Sequence, residues 1–398
     1  MTGRISTSGM HDAAIRQMLA RQADLSRTQT QISTGKRVVT PADDPVAATQ
    51  ITSLQQSRSA LGQYKTNSDA LASRLGVNEQ AFASVTDVLQ RVRELAVQAN
   101  NGTLDSATRS SIGAELTSRL QELEQMANQR DANGEYLFAG TTSQTQPFSR
   151  NSTGVTYNGD QGARLLQVGP DQQIADGFSG QTVFMNIPEG NGTFSVAQGV
   201  HTGASSIDTG QVVNAGAWVP GSYTLQFTSA SAWQVVDSAS TVVASGAYSS
   251  GQPISFNGVQ VTVTGTPATG DTYSINSAGK RDLFTTMDRL IAAVNTQGDD
   301  AVTRTSVNTG ITQALAQIDQ ALNHVSDLRA EVGARLSVND GLTEVRQQLD
   351  DSLAGSVGDL QDLDYAEAVS RMNLQVVGLQ AAQQAYARIS KLSLFDYL

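Results

Sequence analysis

The chain has 398 residues and no cysteine, and its 26 basic and 37 acidic side chains leave a formal net charge of −11. So acidic a balance excludes the basic footprint that nucleic acid or an anionic membrane surface needs. Without cysteine there is neither a disulfide framework nor a thiolate metal site, and no stretch reaches the ~18 consecutive apolar residues of a membrane helix, so no membrane insertion is expected.

The start, MTGRISTSGMHDAAIRQML, lacks the apolar core of a cleaved signal, which implies a cytoplasmic chain or export by a route that does not read one. From there Ile15, Met18, Gln22, Leu25, Gln29 and Ile32 recur three and four apart and predict an amphipathic helix. It runs into a dense joint, ISTGKRVVTPADDPVAATQ at 32–50. Gly35 stands where a left-handed residue closes a helix, and Lys36 and Arg37 bring positive charge to the carbonyl end. Pro41 and Asp43 belong to the link; Asp44 is placed to cap the next helix, with Pro45 at its first position. By itself this describes an interhelical loop.

Beyond the joint, Leu71, Leu75, Asn78, Phe82, Val85, Leu89, Val92, Ala96 and Ala99 form one long helical stripe. Ile112, Leu116, Leu120, Leu123 and Ala127 fit a shorter connecting helix. Residues 151–280 change character: they hold five of the eight prolines and 19 of the 35 glycines, but only two basic residues, Arg164 and Lys280. Alternating stretches such as SYTLQFTSASAWQVVD and ISFNGVQVTVTG read as short strands with turns at Asn-Gly. Helical spacing then resumes at Ile311, Leu315, Ile318, Leu322, Val325, Arg329, Val332 and Leu336. It returns a last time at Val369, Met372, Val376, Leu379, Gln383 and Tyr386. Such stripes are the heptad-like seams of long helices packed side by side.

The fold class expected is mixed α and β, multidomain, with paired N- and C-terminal helices around a β insert. Its expected segments are terminal-helix domains at 1–40 and 359–398, long-helix parts at 41–150 and 281–358, a β domain at 151–205 and a second β module at 206–280. Polar Gln at a third of the outer seam positions makes each terminal arm marginal alone. Each is expected to be ordered only by packing on the other and on neighbouring copies.

Catalytic chemistry is not indicated. His11, His201 and His324 lie far apart, without ligand spacing. Asp43-Asp44 and Asp299-Asp300 read as caps or solvated turns, DANGE at 131–135 lacks the later ligands of a calcium loop, and GNG at 190–192 opens no helix. No metal, cofactor or enzymatic activity is expected. Trp218, Trp233 and Tyr223 could supply stacking faces for a glycan, although such aromatics more often belong to a β core.

Several motifs carry a family likeness. ISTGKRVVTPADDPVAA closely resembles the segment that ends the terminal rod helix in bacterial flagellins and their hook-associated relatives. RISTSGM at 4–10, LQRVRELAVQANNGT at 89–103, NGEYLFAGTTSQTQPF at 133–148 and YAEAVSRMNLQVVGLQAAQQAYARISKLSLFDYL at 365–398 extend the match over both flanking arms. YLFAGT followed by QPF, and the ending LSLFDYL, point to the hook-associated branch. VTYNGDQGARLLQVGPDQQI resembles that branch's usual β domain, and 212–277 looks like an added module.

This resemblance implies terminal helices pairing as a coiled coil in an inner tube, long helices in the next shell and β domains outside. It implies a structural subunit on the extracellular flagellum, exported unfolded by the flagellar type III pathway, whose homo-oligomeric ring joins hook to filament and templates flagellin assembly. The implied partners are hook-associated protein 1, flagellin and an export chaperone binding near the C-terminus, where Met372, Val376, Leu379 and Tyr386 are the matching stripe. Ile15, Met18, Leu25, Ile32 and Val369 complete the assembly residues. Arg91, Leu95 and Glu115 match flagellin positions seen by an innate immune receptor; with Arg93 they are expected to serve subunit or helix packing. A flagellin filament subunit is the nearest alternative, and an adhesive subunit acting through the β insert a weaker one.

Overall fold

The computed structural model describes residues 7–152 and 154–391; residues 4–6 of RISTSGM and the ending LSLFDYL lie outside them. Among the described residues six α-helices flank a β region: α1 Thr7–Thr34, α2 Pro45–Ala99, α3 Ser106–Ala127, α4 Leu283–Val294, α5 Ala301–Gln361 and α6 Tyr365–Lys391. The chain forms two compact units. One takes the residues up to Thr66 together with those from Gly341 on; the other is Asn67–Asp340. Both α2 and α5 contribute to each.

In the Asn67–Asp340 unit the predicted stripe of α2 is buried along its whole length, from Leu71 to Ala99. Ile311, Ile318, Val325 and Val332 of α5 are buried likewise, all at most 1 % exposed. Ion pairs flank the seam, Arg329 Nε donating to Glu79 at 2.8 Å and Arg93 Nε to Asp319 at 2.7 Å. The connecting helix α3 starts at an Asp105 cap and buries Ile112, Leu116, Leu120, Leu123 and Ala127.

Helix α4 lies inside the 281–358 long-helix part but is not marked by the periodicity reading, whose stripe begins only at Ile311. It is separate because Asp282 caps it, its side chain accepting from Thr285 N–H at 2.6 Å. The break before α5 passes through Gly298 at φ 112°, a conformation side chains disfavour. Leu283, Phe284, Met287, Leu290 and Val294 of α4 are all buried. Phe284 joins a ring cluster with Phe148 and Phe184, at centroid separations of 5.3 and 5.9 Å.

The β region opens with two hairpins, β1 Phe148–Asn151 with β2 Gly154–Tyr157 and β3 Leu165–Gly169 with β4 Gln172–Ala175. A short antiparallel pair, β5 Ile187–Pro188 with β15 Lys280–Arg281, closes the stem of the module beyond. That module comprises β6 Phe194–Gln198, β7 Ala204–Ile207, β8 Gln211–Val212, β9 Ser222–Ser229, β10 Ala232–Asp237, β11 Val242–Ala247, β12 Pro253–Phe256, β13 Val259–Thr266 and β14 Thr272–Ser277.

Its two sheets run β11-β10-β9-β14-β6 and β12-β13-β7, with β8 beside β13. They share one core including Phe194, Leu225, Phe227, Val261, Val263, Tyr273 and Ile275. Alternation along β9 is clean: Tyr223, Leu225 and Phe227 point in. Asn257 and Gly258, at φ 43° and 77°, make the tight turn between β12 and β13 that Asn-Gly favours.

The sequence boundary at 205/206 needs correction. β6 pairs with β14 and β7 with β13, so both belong to the second module. Phe194 and Val196 were missed because strand pairing across about 80 residues leaves no local pattern.

In the other unit, α1 and α6 run antiparallel against each other, as their outer seams required. The first turns of α2 meet the last turns of α5 around Val38, Ala47, Ile51 and Val357. Arg58 grips Asp350 through two hydrogen bonds, 2.8 and 3.1 Å.

Candidate functional site

At the joint, Gly35 takes φ 69° and its carbonyl accepts from Leu363 N–H at 3.0 Å. Arg37 N–H donates to the Gln361 carbonyl at 2.6 Å, and Arg37 Nη2 to the Leu360 carbonyl at 2.6 Å. Between them Lys36 and Asp362 form an antiparallel bridge. The α1–α2 break is thus stitched to the α5–α6 break, a pairing across more than 300 residues that the sequence does not display. A Cβ at Gly35 would stand 2.9 Å from Tyr365 Oη, the tip of an exposed side chain that can move aside, so it is the backbone angle that favours glycine.

Two adjacent carboxylates hold the link. Asp43 accepts from the N–H groups of Val39 and Thr40, at 3.0 and 2.7 Å, from the Thr40 hydroxyl and from Arg27. Asp44 caps α2 by accepting from Ala47 N–H at 3.0 Å, and Pro45 is the first residue of that helix. Pro41 is exposed in the intervening turn. Burial pushes the Asp43 pKa up, but the hydrogen bonds from Thr40, Arg27 and Val39 outweigh it and the net shift is downward. The Ala47 N–H, helped by Arg37, lowers that of Asp44.

A depressed folded pKa adds stability above the unfolded value, roughly 3.9 for Asp, and loses it as pH falls through the folded one. We therefore expect the joint to loosen as the pH falls below about 4, the unfolded carboxylate value. Proteolysis at 36–44 by an acid-active protease should accelerate there in the native chain, and at pH 7 a neutral-active protease should cut Asp43→Asn in that segment faster than the native chain.

Along α1 and α6, Met18, Leu25, Ile32, Met372, Val376, Leu379 and Tyr386 are half-buried in the mutual seam, whereas Ile15 and Val369 are 40 % and 41 % exposed. Small residues line part of the seam: Gly378, Ala381, Ala382 and Ala385 border a groove of about 490 Å³ with Met18 and Arg21. Among the described residues of α1 and α6 the most exposed large apolar side chains, Leu19, Leu374 and Val377 at 60, 72 and 62 %, stand outside the registers picked from the sequence. The available clue was an apolar residue directly beside a seam position, as Leu19 is beside Met18.

On the other unit, Arg91 Nη2 pairs with Glu115 Oε1 at 2.9 Å and Nη1 with Glu94 at 3.0 Å, joining α2 to α3. Leu95 is 2 % exposed and packs inside. Arg91 and Glu115 are thus brought together, Leu95 is turned into the core, and Arg93 goes to α5 through Asp319.

Apart from His201, whose ring nitrogens make no hydrogen bond, the polar groups weighed for catalysis are occupied structurally. Asp131 accepts from Asn133 and Glu135 N–H groups and from Arg74. Asp300 caps α5 through Val302 and Thr303 N–H, and Asp299 receives buried Arg109, which also donates to the Leu104, Thr296 and Gly298 carbonyls. His11 packs on the Tyr386 ring, His201 lies 3.6 Å from Asp271, and His324 meets the Thr182 carbonyl. Among the described residues no group of three or more His, Asp or Glu could hold a metal, and no helix is long and apolar enough to cross a membrane. Trp218 packs on Phe194 and Tyr223, while Trp233 lies along Gly246 and donates to the Ala247 carbonyl.

Terminal helices that pair with each other, with the breaks in both arms stitched together and β domains inserted between the arms in sequence, define a flagellin-type subunit. Residues 5–143 match the bacterial flagellin N-terminal helical region and residues 315–398 the bacterial flagellin C-terminal helical region. Within that class the chain belongs to the family of flagellar hook-associated protein 3. The crystal structure of Xanthomonas campestris FlgL is similar at TM-score 0.72 and 32 % identity, over 77 % of this chain and 99 % of that one. Flagellar hook-associated protein-3 of Legionella pneumophila gives 0.76 and 32 %, over 78 % and 98 %. Flagellar hook-associated protein 3 of Escherichia coli K12 is 25 % identical over 394 residues, 99 % of each chain. The chain is a structural component of the bacterial flagellum.

Proposed function

We propose that copies of this chain form a ring that joins the hook to the filament and gives flagellin a surface to grow on. The observation that carries this is the arm pair: α1 and α6 bury their seam against each other yet leave Leu19, Leu374 and Val377 in water. Exposed apolar rows on otherwise satisfied helices are surfaces for neighbouring copies. The likeness to FlgL proteins, one of which is described as a flagellar junction protein, supports the same reading.

The paired arms, segments 1–40 and 359–398, would lie innermost, the long helices of 41–150 and 281–358 around them, and the β modules outside. Hook-associated protein 1 would meet the ring on the hook side and flagellin on the filament side. Met372, Val376, Leu379 and Tyr386 face α1; an export chaperone would cover them before export, in place of α1. Arg91, Arg93, Leu95 and Glu115 act in this reading as packing and surface-contact residues. Nothing in the role calls for a cofactor or an enzymatic step, and the mature subunit would reside outside the cell.

Deleting the gene tests the role. Cells should keep intact hooks and secrete flagellin that fails to polymerise on them, and the native chain should restore filaments. Filaments of normal length in the deletion strain would refute it.

A further inference from the structure

Asn-Gly pairs occur at 101–102, 133–134, 158–159, 191–192 and 257–258. In such a pair the backbone nitrogen after the asparagine can attack its side-chain amide, because no Cβ shields that nitrogen. In a folded chain the attack needs a free glycine N–H, a polarised side-chain carbonyl, an amide group free to leave and access to water.

Four of the pairs lack at least one of these. Gly134 and Gly192 N–H donate to the Asp131 and Glu189 carbonyls, each at 3.0 Å. The leaving amide is held at Asn158, Asn191 and Asn257, which donate to the Ser149 hydroxyl at 3.0 Å, the Gly210 carbonyl at 3.2 Å and the Tyr223 hydroxyl at 3.2 Å.

Asn101 differs on every count. It lies in the corner between α2 and α3, exposed together with Gly102 and Thr103. Its Oδ1 accepts twice, from Thr103 N–H at 3.1 Å and from the Thr103 hydroxyl at 2.9 Å. Two donors on one oxygen stabilise the negative charge that develops there when the carbonyl carbon is attacked. The turn itself is fixed: Leu104 N–H donates to the Asn101 carbonyl at 3.0 Å, and Arg304 Nη1 to the Gly102 carbonyl at 2.5 Å. A fixed turn keeps nucleophile and amide together. Among the described residues no acceptor takes the Gly102 N–H or Asn101 Nδ2.

From this geometry we infer that Asn101 is a site of self-modification, at which its side chain closes on the Gly102 nitrogen and is converted to aspartyl and isoaspartyl forms. Hydroxide from bulk water removes the Gly102 amide proton. The nitrogen bonds to Asn101 Cγ, the Cγ–Nδ2 bond breaks, and Nδ2 leaves as ammonia with a proton from water. Water then opens the cyclic imide at either carbonyl and leaves a carboxylate, with no change of oxidation state. One product is ordinary aspartate. In the other the backbone runs through the former side chain and is lengthened at the α2–α3 corner. The assignment goes beyond the ring reading and does not depend on it.

The test incubates the full-length chain in mildly alkaline buffer and maps its peptides by mass spectrometry. Conversion should appear at Asn101 ahead of the other four pairs, include isoaspartyl, and quicken as pH rises. Thr103→Val removes the hydroxyl and keeps the N–H donor; it should slow conversion roughly 3- to 10-fold, ~0.6–1.4 kcal/mol of barrier. Gly102→Ala should nearly stop it with circular dichroism unchanged, since a Cβ there meets nothing within 4 Å and the glycine is not left-handed. In urea the native chain and Thr103→Val should convert Asn101 at equal rates, because the turn is lost.

Conversion spread evenly over the five pairs of the folded chain, or a folded Thr103→Val as fast as native, would overturn the assignment. So would a Thr103→Val effect that persists in urea, which would trace the slowing to neighbouring sequence and not to the folded corner.

Discussion

Phe184→Ala should lower the stability of the Asn67–Asp340 unit by about 3–5 kcal/mol, the range for removing a buried aromatic ring. Phe184 is fully buried and meets three other rings, Phe138 at 5.3 Å, Phe148 at 5.4 Å and Phe284 at 5.9 Å. Those partners come from the loop after α3, from β1 and from α4, so one side chain ties three chain segments together. Truncation deletes the transfer free energy of the ring and leaves a cavity walled by rigid aromatics that cannot collapse into it.

Phe184→Leu keeps most of the volume and should cost distinctly less, nearer the ~1.5 kcal/mol of a tolerated swap. For a unit of this size each kcal/mol moves the melting temperature by roughly 2–4 °C, so calorimetry should show the alanine variant down by about 6–20 °C. An alanine variant within about 1 kcal/mol of native would mean that the ring cluster is not the keystone its geometry indicates.

What the sequence reveals follows the range over which each feature is encoded. The stripe from Leu71 to Ala99 is legible because helix burial repeats every three or four residues and α2 is long enough to repeat it many times. Gly35, Asp44 and Pro45 are legible because caps act within four residues. The stitching of Arg37 to Leu360 and Gln361 is not, since it joins two breaks that only the folded chain brings together. α4 hid for another reason: at twelve residues it shows barely three turns of periodicity, and the turn through Gly298 looks like a minor interruption of a longer helix.

The arms were legible only in part. Choosing seam positions by spacing found Met18, Leu25 and Val376, but also Ile15 and Val369, which remain exposed. A pattern of apolar residues alone does not separate the face turned to the partner arm from the face turned to water. Nor could the innate-receptor likeness of Arg91, Leu95 and Glu115 be sorted by sequence: the three share a motif, but the fold sends Leu95 into the core and pairs the other two at the surface.

That two-faced character of α6 leads to the second large effect. At 100° per residue, Met372, Val376, Leu379 and Tyr386 cluster on the side turned to α1, while Leu374 and Val377 point away from it. Leu374→Lys with Val377→Lys should therefore leave the α1–α6 seam and the fold of the free subunit nearly unchanged, within about 0.5 kcal/mol, as surface substitutions do. In an assembled ring the same two residues would each contribute ~1–2 kcal/mol by leaving water, and lysines there would carry a further desolvation cost.

The contact should weaken by at least ~2–4 kcal/mol, a roughly 30- to 1000-fold loss in association. The expected result is a chain with native circular dichroism and native thermal unfolding. It should fail to form higher assemblies in sedimentation velocity and fail to support filaments in a deletion strain. Gln380→Lys, a substitution at a polar exposed position of the same helix off that row, serves as the control and should assemble normally. If the double variant assembled as readily as the control, the outward row on α6 would be solvent-facing in the ring as well, and the arms would have to meet their neighbours through α1 alone.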